Sequence, residues 1–155
     1  MIVFFNPLST TPGKQPLPLS IMALAAVLEG KEPWCLVDGN IERDPVRAIL
    51  DSLTDADSSG SSLLAVTVMP GPQLAQAVPV CKAIRTARPD MKIVWGGYFP
   101  TQHADTVLAS GIVDFVVRSQ GEQPLLALIA AIRGEQPLET VGNLTWRNEI
   151  GRAHV

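Results

Sequence analysis

The chain has 155 residues, of which 46% are apolar and 17% charged, and its net charge is −3. This length and composition predict one globular domain, and the mildly acidic balance argues against a nucleic-acid partner. No apolar run approaches the roughly 18 residues that a membrane-spanning helix needs, so no membrane span is expected. Cys35 and Cys81 lack a CxxC spacing, which argues against a disulfide framework or a zinc site and predicts a cytoplasmic location.

Five short apolar runs predict the strands of a sheet. They are residues 2–5, 35–37, 63–69, 92–95 and 114–117. Most are followed directly by glycine, proline, asparagine or aspartate, which end strands. Runs that are apolar throughout, rather than alternating, are typical of parallel strands that are covered on both faces.

Apolar residues at spacings of three and four predict five helices between these runs. The helical segments are residues 18–29, 44–53, 74–84, 101–110 and 122–133. Asp44 and Pro45 are typical of a helix cap followed by a first-turn proline, and Gly30 and Gly134 are typical stops. Pro79 either kinks the third helix or marks its true start. The segment 98–100 (Tyr-Phe-Pro) is predicted to lie in a loop.

Strands that alternate with helices predict an α/β fold with a doubly wound, five-stranded parallel sheet. We assign it the flavodoxin-like strand order 2-1-3-4-5, in which ligands bind beyond the carboxyl ends, at the switch between strands one and three. Residues 55–62 are predicted to form a flexible loop. Residues 144–147 and 152–155, joined by a turn over 148–151, predict a short C-terminal β-hairpin. We therefore expect a domain over residues 1–135 and a hairpin or linker over 136–155.

Several familiar site types are not supported by the sequence. The first strand is followed by FFNPLSTTPGK, which is neither a GxGxxG fingerprint nor a Walker loop. A phosphoacceptor receiver domain needs acidic residues where this chain has Asn6 and Met69, and a lysine where it has Arg118 or Ser119. His103 and His154 are the two histidines, and no acid–base dyad, nucleophile or metal ligand can be argued from spacing.

Small residues follow neighbouring strands of the predicted sheet. Thr67 and Met69 end the third strand, Gly96 and Gly97 end the fourth, and Gly121 follows the fifth. Glycine removes Cβ, so a flat ligand or a nucleotide tail could approach the backbone there. The alternative is that each glycine only permits a positive φ at a strand end.

Several stretches together carry a family resemblance: Asn6-Pro7, PLPLSIMALAAVLEG, VDGN, VTVMPGPQ, IVWGGYFPTQHADTVL and VDFVVRSQGEQPLLALI. The chain resembles the N-terminal cobalamin-binding domain of radical S-adenosylmethionine enzymes, a class that includes magnesium-protoporphyrin monomethyl ester cyclases and many methylases. The resemblance covers almost the whole chain.

The resemblance implies a corrinoid cofactor at the carboxyl edge of the sheet, with its nucleotide tail threaded into the domain and its base off the cobalt. It also implies that Thr67 donates a hydroxyl hydrogen bond to the tail, that Gly96 and Gly97 let the tail pass, and that valine at residue 97 would block binding without disturbing the fold. The implied cofactor-binding residues are Asn6, Pro7, Thr67, Met69, Gly96, Gly97, Tyr98, Gly121 and Glu122.

The chain also departs from related motifs. The DxHxxG motif, which supplies a histidine to cobalt, is absent, and His103 after strand four would be an unusual axial ligand. The CxxxCxxC motif of a [4Fe-4S] cluster is absent as well, so we expect no catalysis by this chain alone. The resemblance implies a catalytic barrel in cis beyond Val155, which would bind the cluster and S-adenosylmethionine.

Two alternatives remain open from the sequence. The chain could be a docking domain of the same fold that binds no cofactor and packs its apolar loops on a partner. It could also bind flavin mononucleotide through Ser9, Thr10 and Thr11, although Pro7 and Pro12 interrupt that segment.

Overall fold

The computed structural model describes residues 1–10, 14–53, 62–147 and the backbone of 153–154. The predicted turn over 148–151, the predicted loop over 55–62 apart from Ser62, and Thr11 and Pro12 of the flavin alternative lie outside the described residues. The strands are β1 (Ile2–Asn6), β2 (Trp34–Asp38), β3 (Leu63–Thr67), β4 (Lys92–Gly96), β5 (Phe115–Val117), β6 (Leu144–Arg147) and β7 (Ala153–His154). The helices are α1 (Leu19–Leu28), α2 (Pro45–Leu53), α3 (Pro72–Ala87), α4 (Tyr98–Gln102), α5 (Ala104–Ala109) and α6 (Glu122–Ile132), with a 3₁₀ turn at Leu138–Thr140.

The seven strands of the described residues form one sheet in the order β2-β1-β3-β4-β5-β6-β7. β1 to β5 are parallel, whereas β6 runs antiparallel to β5 and β7 antiparallel to β6. The predicted order 2-1-3-4-5 is therefore confirmed. The C-terminal strands continue the same sheet beyond β5.

Alternate strand residues pack on opposite helical layers, because successive side chains of a strand point to opposite faces. Ile2 and Phe4 pack with α1 and α6, whereas Val3 and Phe5 pack with α2, α3 and α5. This two-sided burial explains why the central strands are apolar throughout. At the outer edge, β2 is only partly covered, and its Leu36 is half-exposed.

The third helix begins at Pro72 and runs through Pro79 to Ala87. Pro79 therefore lies inside the helix, which excludes the alternative that it marks the helix start. The predicted cap at Asp44 is confirmed, since the backbone N–H of Arg47 donates to Asp44 Oδ1 at 3.0 Å.

Two local predictions after β3 and β4 were wrong. β3 ends at Thr67 rather than at Met69, because the Met69 N–H donates to Gln73 Oε1 (2.9 Å) and the chain leaves the sheet. Residues 98–100 belong to helix α4 and not to a loop. The predicted helix over 101–110 is divided at His103 between α4 and α5.

Candidate functional site

A pocket of about 210 Å³ opens at the carboxyl edge of the sheet, between α1 and α6. Its floor is formed by strand residues that face these two helices, and its walls come from the first half of α1 and the start of α6. The lining residues are Phe4, Ser20, Ile21, Ala23, Leu24, Ala65, Val66, Thr67, Val94, Gly96, Gly97, Val117, Ser119, Gln120, Gly121, Glu122 and Leu125. Most of these groups are apolar, so the pocket suits a flat apolar ligand group.

The pocket exists because the floor residues are short where the sheet ends. Ala65 lies beside Phe4 of β1 and Val94 of β4, and in the row nearer the edge Thr67 pairs with Gly96. A methyl group, a hydroxyl and a bare backbone thus stand where larger side chains would fill the space under the helices. Thr67 is the polar side chain on the β3 part of this floor.

Gly96 leaves space in the pocket rather than serving a turn. A Cβ built on Gly96 meets nothing nearer than the Val117 carbonyl oxygen at 3.8 Å, and the residue needs no positive φ. A side chain at this position would therefore project into the pocket without a backbone clash.

Gly97 has a different reason to be glycine. Its φ is +101°, and an added Cβ would lie 3.0 Å from the carbonyl oxygen of Val68 and 3.3 Å from Thr67 Oγ1. The chain is this close because the Phe99 N–H donates to the Val68 carbonyl at 3.1 Å. Valine at residue 97 would strain the backbone, so the prediction that it leaves the fold intact was wrong.

The loop after β5 closes the pocket on the α6 side. Gly121 approaches α1 closely, since an added Cβ would lie 3.1 Å from Leu24 Cδ2. Ser119 adopts a φ of +62°, and its N–H donates to Thr101 Oγ1 at 3.1 Å. Glu122 stands in the first turn of α6, where a carboxylate is favoured by the helix dipole.

Asn6 and Pro7 lie outside the lining of this pocket, in a polar network at the switch between β1 and β3. The buried Asn6 amide donates to Asp38 Oδ1 (3.0 Å), and Gln73 Nε2 donates to Asn6 Oδ1 and to the Pro7 carbonyl, both at 3.3 Å. Asp38 Oδ1 also accepts from the backbone N–H and the amide of Asn40. The protein's own side chains therefore fill the crevice that the strand order predicted as the ligand site.

Met69 and Tyr98 also lie outside the pocket lining, on the exposed surface beyond β3 and β4. Their exposed fractions are 48% and 59%. Leu17, Leu19 and Ile41 add further exposed apolar side chains in the segments that follow β1 and β2.

The structure brings together Thr67, Gly96, Gly97, Gly121 and Glu122 of the nine predicted residues. Sequence reasoning missed the floor and wall residues Phe4, Ala65, Val94, Ser20 and Leu24. Phe4, Ala65 and Val94 lie on one face of the sheet once the register is known, but the apolar runs that contain them do not show which face that is.

The described residues do not gather the side chains of a metal site. They contain no group of three His, Cys, Asp or Glu side chains that could hold a metal ion. Burial raises the pKa of the Cys81 thiol to about 12, so this thiol is not a nucleophile at neutral pH. In the same described ranges, no helix is both long and apolar enough to cross a bilayer.

Comparison with known proteins gives a family match over most of the chain. The family model for the B12 binding domain matches residues 7–129. A curated relative, the anaerobic magnesium-protoporphyrin IX monomethyl ester cyclase of Synechocystis sp., is 36% identical over 67 residues, which are 43% of this chain and 13% of that protein.

Solved structures share the fold. The cobalamin-dependent S-adenosylmethionine radical enzyme OxsB with aqua-cobalamin bound matches 99% of this chain with a TM-score of 0.81 and 19% identity. The radical S-adenosylmethionine methyltransferase TsrM of Kitasatospora setae, with cobalamin and a [4Fe-4S] cluster bound, matches 97% with a TM-score of 0.75 and 19% identity. The chain spans 21% of the OxsB chain and 29% of the TsrM chain.

Proposed function

The chain belongs to the B12-binding domain family, and from that premise we propose that it binds a corrinoid through the apolar pocket between α1 and α6. The observation that carries this proposal is the space above Gly96. The pocket is too small for a corrin macrocycle but suits the flat base at the end of a nucleotide tail. The macrocycle would then lie outside, over the carboxyl edge of the sheet.

The proposed binding residues divide by position. The Thr67 hydroxyl would donate a hydrogen bond to the tail. Gly96 and Gly97 would leave space for the tail to pass the ends of β3 and β4. Gly121 and Glu122 would bound the tail on the α6 side. The remaining predicted residues would lie nearer the macrocycle: Asn6, Pro7, Met69 and Tyr98.

We propose that the cofactor is bound base-off and without a protein histidine on cobalt. If its base fills the apolar pocket, that base cannot also coordinate the metal. His103 lies outside the pocket, between α4 and α5, where its ring lies 4.8 Å from that of Phe99. The bound corrinoid would supply the organometallic chemistry of cobalt, while this chain holds and orients it.

We further propose that the domain serves a cytoplasmic radical S-adenosylmethionine enzyme of the methylase or cyclase type. The support is that OxsB, TsrM and the cyclase are much longer than the region each shares with this chain. A catalytic barrel in cis would bind the [4Fe-4S] cluster and S-adenosylmethionine, whereas this chain contributes no catalytic residue.

The test is a titration of the 155-residue chain with hydroxocobalamin, followed by gel filtration and the visible spectrum. We expect a stoichiometric, coloured complex, and after one-electron reduction of the bound cobalt with dithionite we expect the base-off form in the Co(II) electron paramagnetic resonance spectrum. A corrinoid that lacks the nucleotide tail should bind at least about tenfold more weakly, because the tail contacts are lost. Equal affinity for both corrinoids would contradict the role of the pocket, and no retained corrinoid would contradict the proposed function.

A docking domain that binds no cofactor is the second candidate, and the exposed apolar side chains of Leu17, Leu19, Ile41, Met69 and Tyr98 favour it. In that case a radical S-adenosylmethionine barrel supplied in trans should associate equally well with and without corrinoid. Association that requires corrinoid would contradict this alternative.

A further inference from the structure

A second cavity, of about 300 Å³, lies on the opposite face of the sheet, where β5 and β6 meet α4 and α5. Its lining is mainly polar and differs completely from that of the apolar pocket. The lining residues are Thr101, Gln102, His103, Ala104, Asp105, Thr106, Arg118 and Thr145.

Two buried polar atoms of this lining have no hydrogen-bond partner in the part of the chain that the structure describes. They are Arg118 Nε and Thr145 Oγ1, and Thr145 is only 1% exposed. Burying a polar group without a partner is unfavourable, and more so for a charged group. Unsatisfied groups of this kind are uncommon in folded proteins and call for a missing partner.

Thr101 adds a further donor to this lining, whereas Asp105 adds a carboxylate. Thr101 Oγ1 accepts the N–H of Ser119 at 3.1 Å, which leaves its own proton free to donate into the cavity. Arg118 forms no ion pair with Asp105, although both line the cavity. A guanidinium and two hydroxyls thus reach the cavity from the loop after β5, from β6 and from α4.

We propose that this cavity binds a small tetrahedral oxyanion of the phosphate type. The Arg118 guanidinium would donate to two of its oxygens, as the planar fork of arginine favours. The hydroxyls of Thr145 and Thr101 would donate to the others. A phosphate-type anion fits better than a carboxylate, because donors from three separate segments need more than the two oxygens that a carboxylate offers.

The test measures the thermal unfolding of the 155-residue chain against inorganic phosphate, with sodium chloride used to keep the ionic strength constant. We expect a saturable rise in Tm, because a ligand that binds only the folded state stabilises it. Arg118→Met should lower the phosphate affinity at least about tenfold, and Arg118→Lys should lower it less. As a matched control, Lys92→Met removes an exposed positive charge at the other end of the sheet and should leave the affinity unchanged.

Thr145→Val gives the sharpest result. It removes the unpartnered hydroxyl at nearly constant shape, so the Tm without phosphate should stay the same or rise, while the phosphate affinity falls about fivefold. Thr145→Ser keeps the hydroxyl and should keep the affinity.

Three outcomes would overturn the proposal. One is the absence of a saturable response to phosphate. Another is an equal response to acetate, which would indicate screening or a general carboxylate effect. The third is an unchanged affinity in Arg118→Met, which is informative even if the Thr145 variants fail to fold.

Discussion

Two regions at the same edge of the sheet were predicted as ligand sites, one from the strand order and one from the small residues at the strand ends, and they are built in opposite ways. At the switch between β1 and β3, Asn6, Asp38 and Gln73 satisfy one another and fill the crevice. Between α1 and α6, Gly96 and Ala65 leave a hollow that no side chain of the described residues fills. A strand end can bind a ligand where its side chains are short and are not already hydrogen-bonded to other side chains of the protein.

The difference also separates two neighbouring glycines. Gly97 is glycine because the backbone there has a positive φ and passes close to Val68. Gly96 is glycine because a side chain there would project into the pocket. Substitutions can therefore affect the fold and the binding separately, and four variants sharpen the comparison.

Gly97→Ala should have the largest effect, a loss of about 3 kcal/mol of unfolding free energy. The new Cβ must accept a φ of +101° and a contact at 3.0 Å with the Val68 carbonyl, and strained backbone conformations cost about 1–3 kcal/mol before any contact is counted. Urea denaturation measures the loss. Gly71→Ala is the matched control, since its φ is +89° with nothing within 4 Å of the added Cβ. Equal losses for the two variants would show that the contact is unimportant.

Gly96→Val should leave the unfolding free energy within about 1 kcal/mol of the parent, because β-branched residues suit strands and no atom blocks the side chain. Its corrinoid affinity should fall about 100-fold, or roughly 2.7 kcal/mol, since the valine fills the space proposed for the tail. Spectroscopic titration measures the affinity, and Gly96→Ala should give a smaller decrease. Unchanged binding in the valine variant would place the cofactor elsewhere.

Gln73→Ala tests the polar region at the switch between β1 and β3, where we expect a loss of stability without a loss of corrinoid affinity. It leaves the Met69 N–H and Asn6 Oδ1 without the partner that now holds them, which should cost about 2 kcal/mol of stability. The corrinoid affinity should change by less than about threefold, or 0.7 kcal/mol, because the apolar pocket is untouched. A loss of affinity larger than the loss of stability would assign the network a direct role in binding.

Thr67→Val should have the smallest effect. Thr67 lines the pocket, and removing one neutral hydrogen bond to the ligand should weaken binding by about 1 kcal/mol, or roughly fivefold. Stability should not change, and Thr67→Ser should restore the affinity. If the serine variant binds as weakly as the valine variant, the methyl group rather than the hydroxyl contributes to binding.

Much of the fold was predictable because the central strands and the longer helices carry strong periodic signals. The short helix α4 was not, since five residues with a proline at the third position show no helical period. The end of β3 was missed because it depends on the Gln73 side chain, which accepts from the Met69 backbone in the next segment.

The candidate site was predictable only in part. Thr67, Gly96 and Gly121 stand out as small residues at strand ends, which sequence alone can find. Phe4 and Ala65 also form the floor, but which face of a buried strand they occupy depends on pairing register and on the helix that covers that face. Apolar runs without alternation indicate neither the pairing register nor the helix that covers each face.

The floor of the apolar pocket has a consequence for folding. It is assembled from β1, β3, β4 and β5, which are separated along the chain by five helices and meet only in the finished sheet. A fragment such as residues 1–90 lacks β4 and β5 and therefore lacks the pocket. Partly folded chains without these strands should not bind the ligand. A ligand bound there acts on global unfolding rather than on local fraying, and it should slow the hydrogen exchange of the central strands most, where exchange requires the whole sheet to open.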